Sequence, residues 1–540
     1  MSSETLTGGQ PVTVDGIRID APGLAGNVVV ESGAGSGELT RDMRDQLPDQ
    51  LRRALGRHKA KPRRTIRIEE PVDVEPGDDS LGGDDSLGGD DSLGGDDSLG
   101  APSAPAPTRD ARAPRRGEAG DIAAPPPPPI RIAIPKARQG RAQVVLSRDE
   151  HGITTWHLPV RSTGDGTRGV TRGATGGDTV APAGTDLFEI PRAPSGATRG
   201  LGLSKILQVI TLPVQKVGGK IIEFKVREWD REHHPTRLRA YGPDATFREL
   251  DDAAWKKLEG KRALLLIHGT FDTIAGAFFR LPAATLTELH KRYGATDADP
   301  WGRVIAFDHP TLADSPIDNA REFLKLVGNH ALEVDIVCHS RGGLVTRSIA
   351  ERPDDLGTLA PNLKVGTAVL VGATSNGTAL ADVDRWNQMI DRLTTLLSFA
   401  PVPAAVDVLE TIFGLIRGLA VETAHDLHGL DAMSPKRPFL AGLNAQPKLG
   451  AGSSYRAVVS DYEPTDPDLK AFFADELKDE VVFKGPNDGM VDIDSIVGKA
   501  IVSPFPVTVT CVFDKAEGIE HSNYFGQKKT TDAFLDWLKG

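Results

Sequence analysis

Three side chains in this sequence follow one another in an order that suits nucleophilic catalysis: Ser340, then Asp488, then His521. A serine hydroxyl is a weak nucleophile until a histidine takes its proton, and an acid behind the histidine orients it and stabilises its charged form. Ser340 lies in Asp335-Ile336-Val337-Cys338-His339-Ser340-Arg341-Gly342-Gly343, at the end of the strand pattern that starts at Val334 and leading straight into a helical pattern over 344–351. A serine on such a strand-to-helix turn exposes its hydroxyl, and the helix N-terminus behind it favours developing negative charge. The turn brings two backbones together, so small residues are required two places before and two places after the serine. Gly342 meets that demand, while Cys338 stands where glycine is usual. The competing reading of this stretch is a helix cap at Ser340, with Gly342-Gly343 merely permitting a tight turn.

A second apolar strand ends in Ile267-His268-Gly269-Thr270-Phe271. Its turn offers the backbone N–H of Thr270 to the same cleft; with the N–H of Arg341, that would make an oxyanion hole for a tetrahedral intermediate. His268 reads as a structural hydrogen-bonding residue rather than a base. Asp488 is favoured as the acid because Asn487-Asp488-Gly489 is a tight-turn sequence that presents a carboxylate. Asp492, Asp494 and Asp461 are its rivals. His425 and His428 precede the acid, which breaks the expected order, so they read as surface or cap residues.

These residues need strand ends to hold them. Apolar runs at 263–267, 304–307, 334–337, 365–371, 455–459 and 507–513 alternate with amphipathic segments. Such runs, separated by helices, predict an α/β fold: a mostly parallel sheet covered on both faces, with its site at the carboxyl ends of the strands. An insertion at about 381–442, with helical patterns at 384–397 and 404–420, is expected to form a cap. It reads equally as a mobile lid over the cleft or as a helical cap packed on the sheet.

Together these motifs resemble bacterial lipases and related esterases of the α/β-hydrolase superfamily. The resemblance is to the group whose elbow reads His-Ser-x-Gly-Gly followed by Leu-Val-x-Arg, here residues His339 to Arg347. Val371-Gly372-Ala373-Thr374-Ser375-Asn376-Gly377-Thr378 is similar to a loop that those lipases carry after the next strand, with Ala373-Thr374 where Thr-Pro is usual. Asn487-Asp488-Gly489 matches their acid loop. The resemblance covers about 262–540 and implies an α/β-hydrolase domain there, acting on an ester or lipid through an acyl-serine intermediate. Acyl transfer by the same triad is the second reading. A silent hydrolase-fold scaffold, with an acidic tail for interactions, is the third. No cofactor and no metal are expected.

The front of the chain has a different composition. Gly-Asp-Asp-Ser-Leu-Gly occurs four times over 77–100, followed by proline-rich sequence. One leucine in six residues cannot bury a core, so residues 1–142 are expected to be a disordered low-complexity leader. A small β-rich accessory region is predicted over 143–251, with hairpins at 144–158 and at 206–229. The net charge of −12 argues against nucleic acid as a partner. Two cysteines in apolar runs, Cys338 and Cys511, exclude a disulfide framework. No signal peptide and no uninterrupted apolar span are evident, so a cytoplasmic location is expected, with non-classical export left open.

Overall fold

The structure, a computed structural model, describes residues 1–32, 49–57, 61–69, 128–138, 140–148, 154–160, 182–190, 205–213, 216–217, 220–221, 226–399, 405–420, 427–445, 447–464, 482–483, 485–499 and 505–540. Among them, ten strands build the front of the chain: β1 (Ser2–Thr7), β2 (Val12–Val14), β3 (Ile17–Asp20), β4 (Ala25–Ser32), β5 (Lys61–Glu69), β6 (Ile130–Pro135), β7 (Arg141–Arg148), β8 (Thr154–His157), β9 (Thr185–Ile190) and β10 (Lys205–Pro213). They form one sheet ordered β1-β4-β5-β10-β7-β8 and another ordered β2-β3-β6-β9. Val28 and Val30, Ile66 and Ile68, and Leu207 and Val209 lie two residues apart, so each pair shares a face. They share a core with Ile17, Ile19, Ile132 and Phe188 of the other sheet.

The expected leader over 1–142 therefore differs from the structure, because β1 to β6 and helix α1 (Asp49–Arg57) fall within it. The strands are short and polar on alternate residues, which gives them a weak apolar signal. One local signal does exist. Asp15 and Gly16 both have positive φ, 47° and 75°, in the two-residue turn joining β2 to β3, where Asp-Gly is a favoured pair. The repeat at 77–100 lies outside the described residues.

The predicted hairpin of β7 and β8 is present. The one predicted over 206–229 is not: β10 pairs with β5 and β7, while 216–217 and 220–221 form a two-stranded ribbon (β11 and β12). Residues Val226–His233 form a helix, α2. Val226, Trp229 and Asp230 are its buried positions, spaced three and four apart along one helical face.

Eight strands make the large sheet, ordered β14-β13-β16-β15-β17-β18-β19-β20. They are β13 (Arg237–Tyr241), β14 (Phe247–Glu249), β15 (Arg262–Ile267), β16 (Val304–Asp308), β17 (Leu332–His339), β18 (Leu363–Val371), β19 (Ser454–Ser460) and β20 (Val507–Phe513). From β16 to β20 all neighbours are parallel; β13 and β14 add an antiparallel edge. That edge lies in the region predicted to be accessory. Its arginines hid it, since Arg239 donates to Asp308 Oδ2 at 2.6 Å and lies over the Phe247 ring. Both faces of the central strands are covered, whereas the edge strand β20, expected to be covered too, is largely exposed and buries only Phe513. Ala263, Leu265 and Ile267 pack with Phe323 of helix α3 (Pro316–Val327) and Ile349 of helix α4 (Gly342–Glu351). Leu264 and Leu266 point the other way, onto a cluster containing Leu289 and Phe534.

Within the insertion, helices α5 (Trp386–Phe399) and α6 (Ala405–Ala420) bury their apolar faces. Leu409, Ile412, Phe413 and Ile416 share a cluster with Leu51 and Leu55 of α1. Trp156 of β8 donates its backbone N–H to Asp391 Oδ1 at 2.8 Å and its indole N–H to Thr394 at 3.2 Å. The sheet that contains β8 thus packs on the inserted helices. No described helix is long and apolar enough to cross a membrane.

Candidate active site

Ser340 follows β17 directly and has a φ of 53°, an unusual backbone for a residue with a side chain. Strain of this kind persists only where the surroundings over-determine it. Here they do. A Cβ on Gly342 would lie 2.6 Å from the His268 carbonyl oxygen, and one on Gly343 would lie 2.5 Å from the Ala373 Cβ. Close backbone approach therefore demands both glycines. Cys338 is fully buried, with its thiol pKa pushed up to about 12 by burial, so it is an inert packing group that fits the position usually held by glycine.

His521 lies after β20 and reaches Ser340 across the sheet end. Its Nε2 is 3.0 Å from Ser340 Oγ and its Nδ1 is 2.7 Å from Asp488 Oδ2. Asp488 sits in the loop after β19, fully buried. Its Oδ1 accepts from the N–H groups of Met490 and Val491 at 3.0 and 2.8 Å, and its carbonyl accepts from the His521 N–H at 2.9 Å. Burial alone would lower the His521 pKa. The charge and hydrogen bond of Asp488, with the charge of Glu520, outweigh it and hold that pKa above the ordinary histidine value.

The rival acids are placed elsewhere. Asp492 pairs in an isolated bridge with Asn487 and precedes a short helix, Asp494 pairs with Lys499, and the Asp461 N–H bonds the Phe513 carbonyl. His428 opens a short helix, His428–Asp431 (α7); His425 is outside the described residues. His268 donates from Nδ1 to its neighbour's carbonyl at 2.9 Å and accepts at Nε2 from the His309 N–H at 3.1 Å. Burial lowers its pKa to about 4, which makes it a weak base, and both of its ring nitrogens are already bonded elsewhere.

Thr270 and Arg341 flank Ser340. A Cβ on Gly269 would lie 2.7 Å from the Ser340 Cβ, so the Thr270 turn is pressed against the serine. Phe271 has a φ of 64°, a second strained backbone at the same place. Among the described residues, neither the Thr270 nor the Arg341 backbone N–H makes a hydrogen bond. The Arg341 side chain has another job: fully buried, it donates to the Gly429 carbonyl at 3.1 Å, to Asn319 at 2.8 Å and to the Asp314 carbonyl. It fastens α7 to the core.

Sequence reasoning missed several groups. His339 donates from Nε2 to the His521 carbonyl at 2.9 Å, its ring 4.8 Å from that of His521. Tyr524 donates to Asp488 Oδ2 at 2.9 Å. Arg392 of α5 donates to the Gly489 carbonyl at 3.0 Å, tying the inserted helix to the loop that holds Asp488. Gly372, at φ 53°, stands where a Cβ would meet Tyr524, Asp488 and His521 within 3.2 Å. His339 and Gly372 were visible as motif residues, but Tyr524 and Arg392 carry no local signal.

A family model described as a domain of unknown function, DUF7379, matches residues 232–539. The chain belongs to this family. The DUF7379 match begins within the last turn of α2 and takes in the whole of the large sheet, β13 and β14 included. No curated protein matches the sequence. Among solved structures, lipase 1 from Pelosinus fermentans is similar at 14% identity and a TM-score of 0.35, covering 52% of this chain and 97% of that one. Haloalkane dehalogenase DpaA from Paraglaciecola agarilytica NO2 is similar at 11% identity and a TM-score of 0.29, over 52% and 84% of the two chains. Neither likeness bears on the chemistry of this chain.

Proposed function

We propose that the DUF7379 region is a serine hydrolase of α/β-hydrolase fold that cleaves carboxylic esters, with Ser340, His521 and Asp488 as its triad. The observation that carries this reading is the unbroken hydrogen-bonded line from Asp488 through His521 to Ser340. In this reading the hydrolase unit spans about 262–540 together with the β13–β14 edge, and 381–442 is its cap.

The Ser340 oxygen attacks the ester carbonyl carbon while its proton passes to His521 Nε2. Asp488, accepting at Oδ2 from His521 Nδ1, stabilises the imidazolium. The carbonyl oxygen becomes an oxyanion, and the N–H groups of Thr270 and Arg341 supply the donors for it. Collapse breaks the ester C–O bond, and His521 returns the proton to the departing alkoxide. Water then attacks the acyl-serine and gives a proton to His521; the acyl–Oγ bond breaks, His521 returns that proton to Ser340 Oγ, and the carboxylic acid leaves.

A fluorophosphonate probe tests this directly: Ser340 should be the labelled residue. Purified protein that stays unlabelled while a control hydrolase is labelled would overturn the reading in favour of a silent scaffold. Turnover of p-nitrophenyl esters across chain lengths would then define the acyl preference.

Two further outcomes follow from the geometry. Catalysis needs neutral His521, so kcat/KM should fall as pH drops through a single ionisation above the ordinary histidine value of about 6.5. His339 and His268, held near 3 and 4 by burial, should add no second limb there. A pH–rate profile with its acid limb below 6 would contradict this. Gly269→Ala forces a methyl against Ser340 and should cost about 100-fold in kcat/KM, the scale of a misplacement near 1 Å. Circular dichroism of the same variant separates that loss from unfolding.

A further inference from the structure

Asp488 Oδ2 carries two hydrogen bonds, and the proposed mechanism uses only one of them. His521 Nδ1 lies 2.7 Å from it and the Tyr524 hydroxyl 2.9 Å. With Met490 and Val491 on Oδ1, all four sites of a buried carboxylate are occupied. The chain makes unusual room for this arrangement. Gly372 has a φ of 53°, and a Cβ there would stand 2.9 Å from Tyr524 Cε2 and 3.2 Å from both Asp488 Oδ2 and His521 Nδ1. Any other residue at 372 would drive the three groups apart.

We propose that Tyr524 is a positioning residue that sets the basicity of His521 by sharing the Asp488 oxygen to which His521 is bonded. This rests on the triad reading of the same site. Tyr524 is fully buried. Burial first, then the charges of Asp488 and Glu520, hold its pKa well above the ordinary phenol range, so it remains a donor at every working pH. A donor on Oδ2 stabilises the carboxylate charge and leaves less of it for the imidazolium. Without that donor, charged His521 is better stabilised and the base gives up its proton at higher pH.

The other groups facing His521 act in known directions. His339 is neutral and donates to the His521 carbonyl, not to its ring. Glu520, whose pKa burial raises, favours charged His521; its oxygens accept from the N–H and hydroxyl of Ser522, and Arg280 lies near it. None of these groups bonds Asp488 Oδ2, so the tyrosine hydroxyl can be varied independently.

The test is the acid limb of kcat/KM in Tyr524→Phe, expected to move up by about half to one pH unit as the charged-form hydrogen bond is lost. Replacing Tyr524 with a fluorinated tyrosine, a stronger donor, should move the limb down. Shifts of opposite sign cannot come from loosened packing. The same ordering should appear in the His521 imidazole titration followed by NMR in a Ser340→Ala background, where no turnover is needed. An unmoved titration in both variants overturns the proposal. If wild-type protein is inert to esters and fluorophosphonate yet the titrations order as stated, the hydrolase reading fails and the coupling of Tyr524 to His521 stands.

Discussion

Ser340→Ala is expected to lower kcat on a p-nitrophenyl ester by about 10⁴-fold or more, with KM changed only slightly. The reason is local. In the proposed mechanism the serine oxygen makes and breaks the covalent bond, and among the described residues no other hydroxyl is bonded to His521 Nε2. In the same proposal the backbone N–H groups of Thr270 and Arg341 serve as donors to the substrate, and the substitution leaves both in place. His521→Ala should lose a similar factor, and the double variant little more, because residues acting as one unit are not additive. Turnover of Ser340→Ala within tenfold of wild type would remove Ser340 from the mechanism. A helix cap alone could not produce the expected loss, since removing a cap costs about 1 kcal/mol of stability and no chemistry.

The largest effect on stability is expected from Arg347→Met. Arg347 and Glu351 are paired one turn apart on α4, the helix behind Ser340, with both side chains fully buried. The fork is bidentate, at 2.7 and 3.0 Å, and the Tyr455 hydroxyl donates to the same carboxylate at 2.8 Å. The remaining donors of Arg347 reach the Ser375 carbonyl at 2.7 Å and Asn444 Oδ1 at 2.6 Å. One guanidinium therefore joins α4 to the 372–378 loop and to the helix Pro438–Ala445 (α8). Removing it strands the Glu351 charge in a dry interior, a loss of about 3–5 kcal/mol. At about 2–4 °C per kcal/mol for a domain of this size, thermal unfolding should begin roughly 6–20 °C lower. Arg347→Met combined with Glu351→Leu should be more stable than the single variant, because no buried charge is left without a partner. A single variant within 1 kcal/mol of wild type would show that water reaches the pair.

The parallel core was legible in the sequence because its strands are apolar on both faces. Runs such as Leu264-Leu265-Leu266-Ile267 and Val334 to Val337 have few other uses. The turn at Ser340 was legible for a related reason, since Gly342-Gly343 after an apolar strand marks a place where backbones must nearly touch. Strands whose side chains alternate with charge, such as Arg237–Tyr241, were not visible, and neither were the short strands of residues 2–32. Val226–His233 was misjudged because an alternating pattern and a helical one coincide over so few residues.

By itself, the sequence determined what is local here. It set which central strands are buried on both faces, where the chain must turn tightly, and the order in which Ser340, Asp488 and His521 follow strands. It did not show that the apolar run 507–513 lies at an exposed edge. Tertiary structure decided which groups meet. Ser340 and His521 are separated by 181 residues, yet their atoms lie 3.0 Å apart. Asp488, not Asp492 or Asp494, faces His521, because the carboxylate bonds the Met490 and Val491 N–H groups within its own turn. Tyr524 meets Asp488 only because Gly372, on another strand end, leaves space for it. The docking of Trp156 on Asp391 is likewise a meeting of surfaces 235 residues apart. Periodicity reports which face of an element is buried; the partner that covers it is fixed only when the whole chain packs.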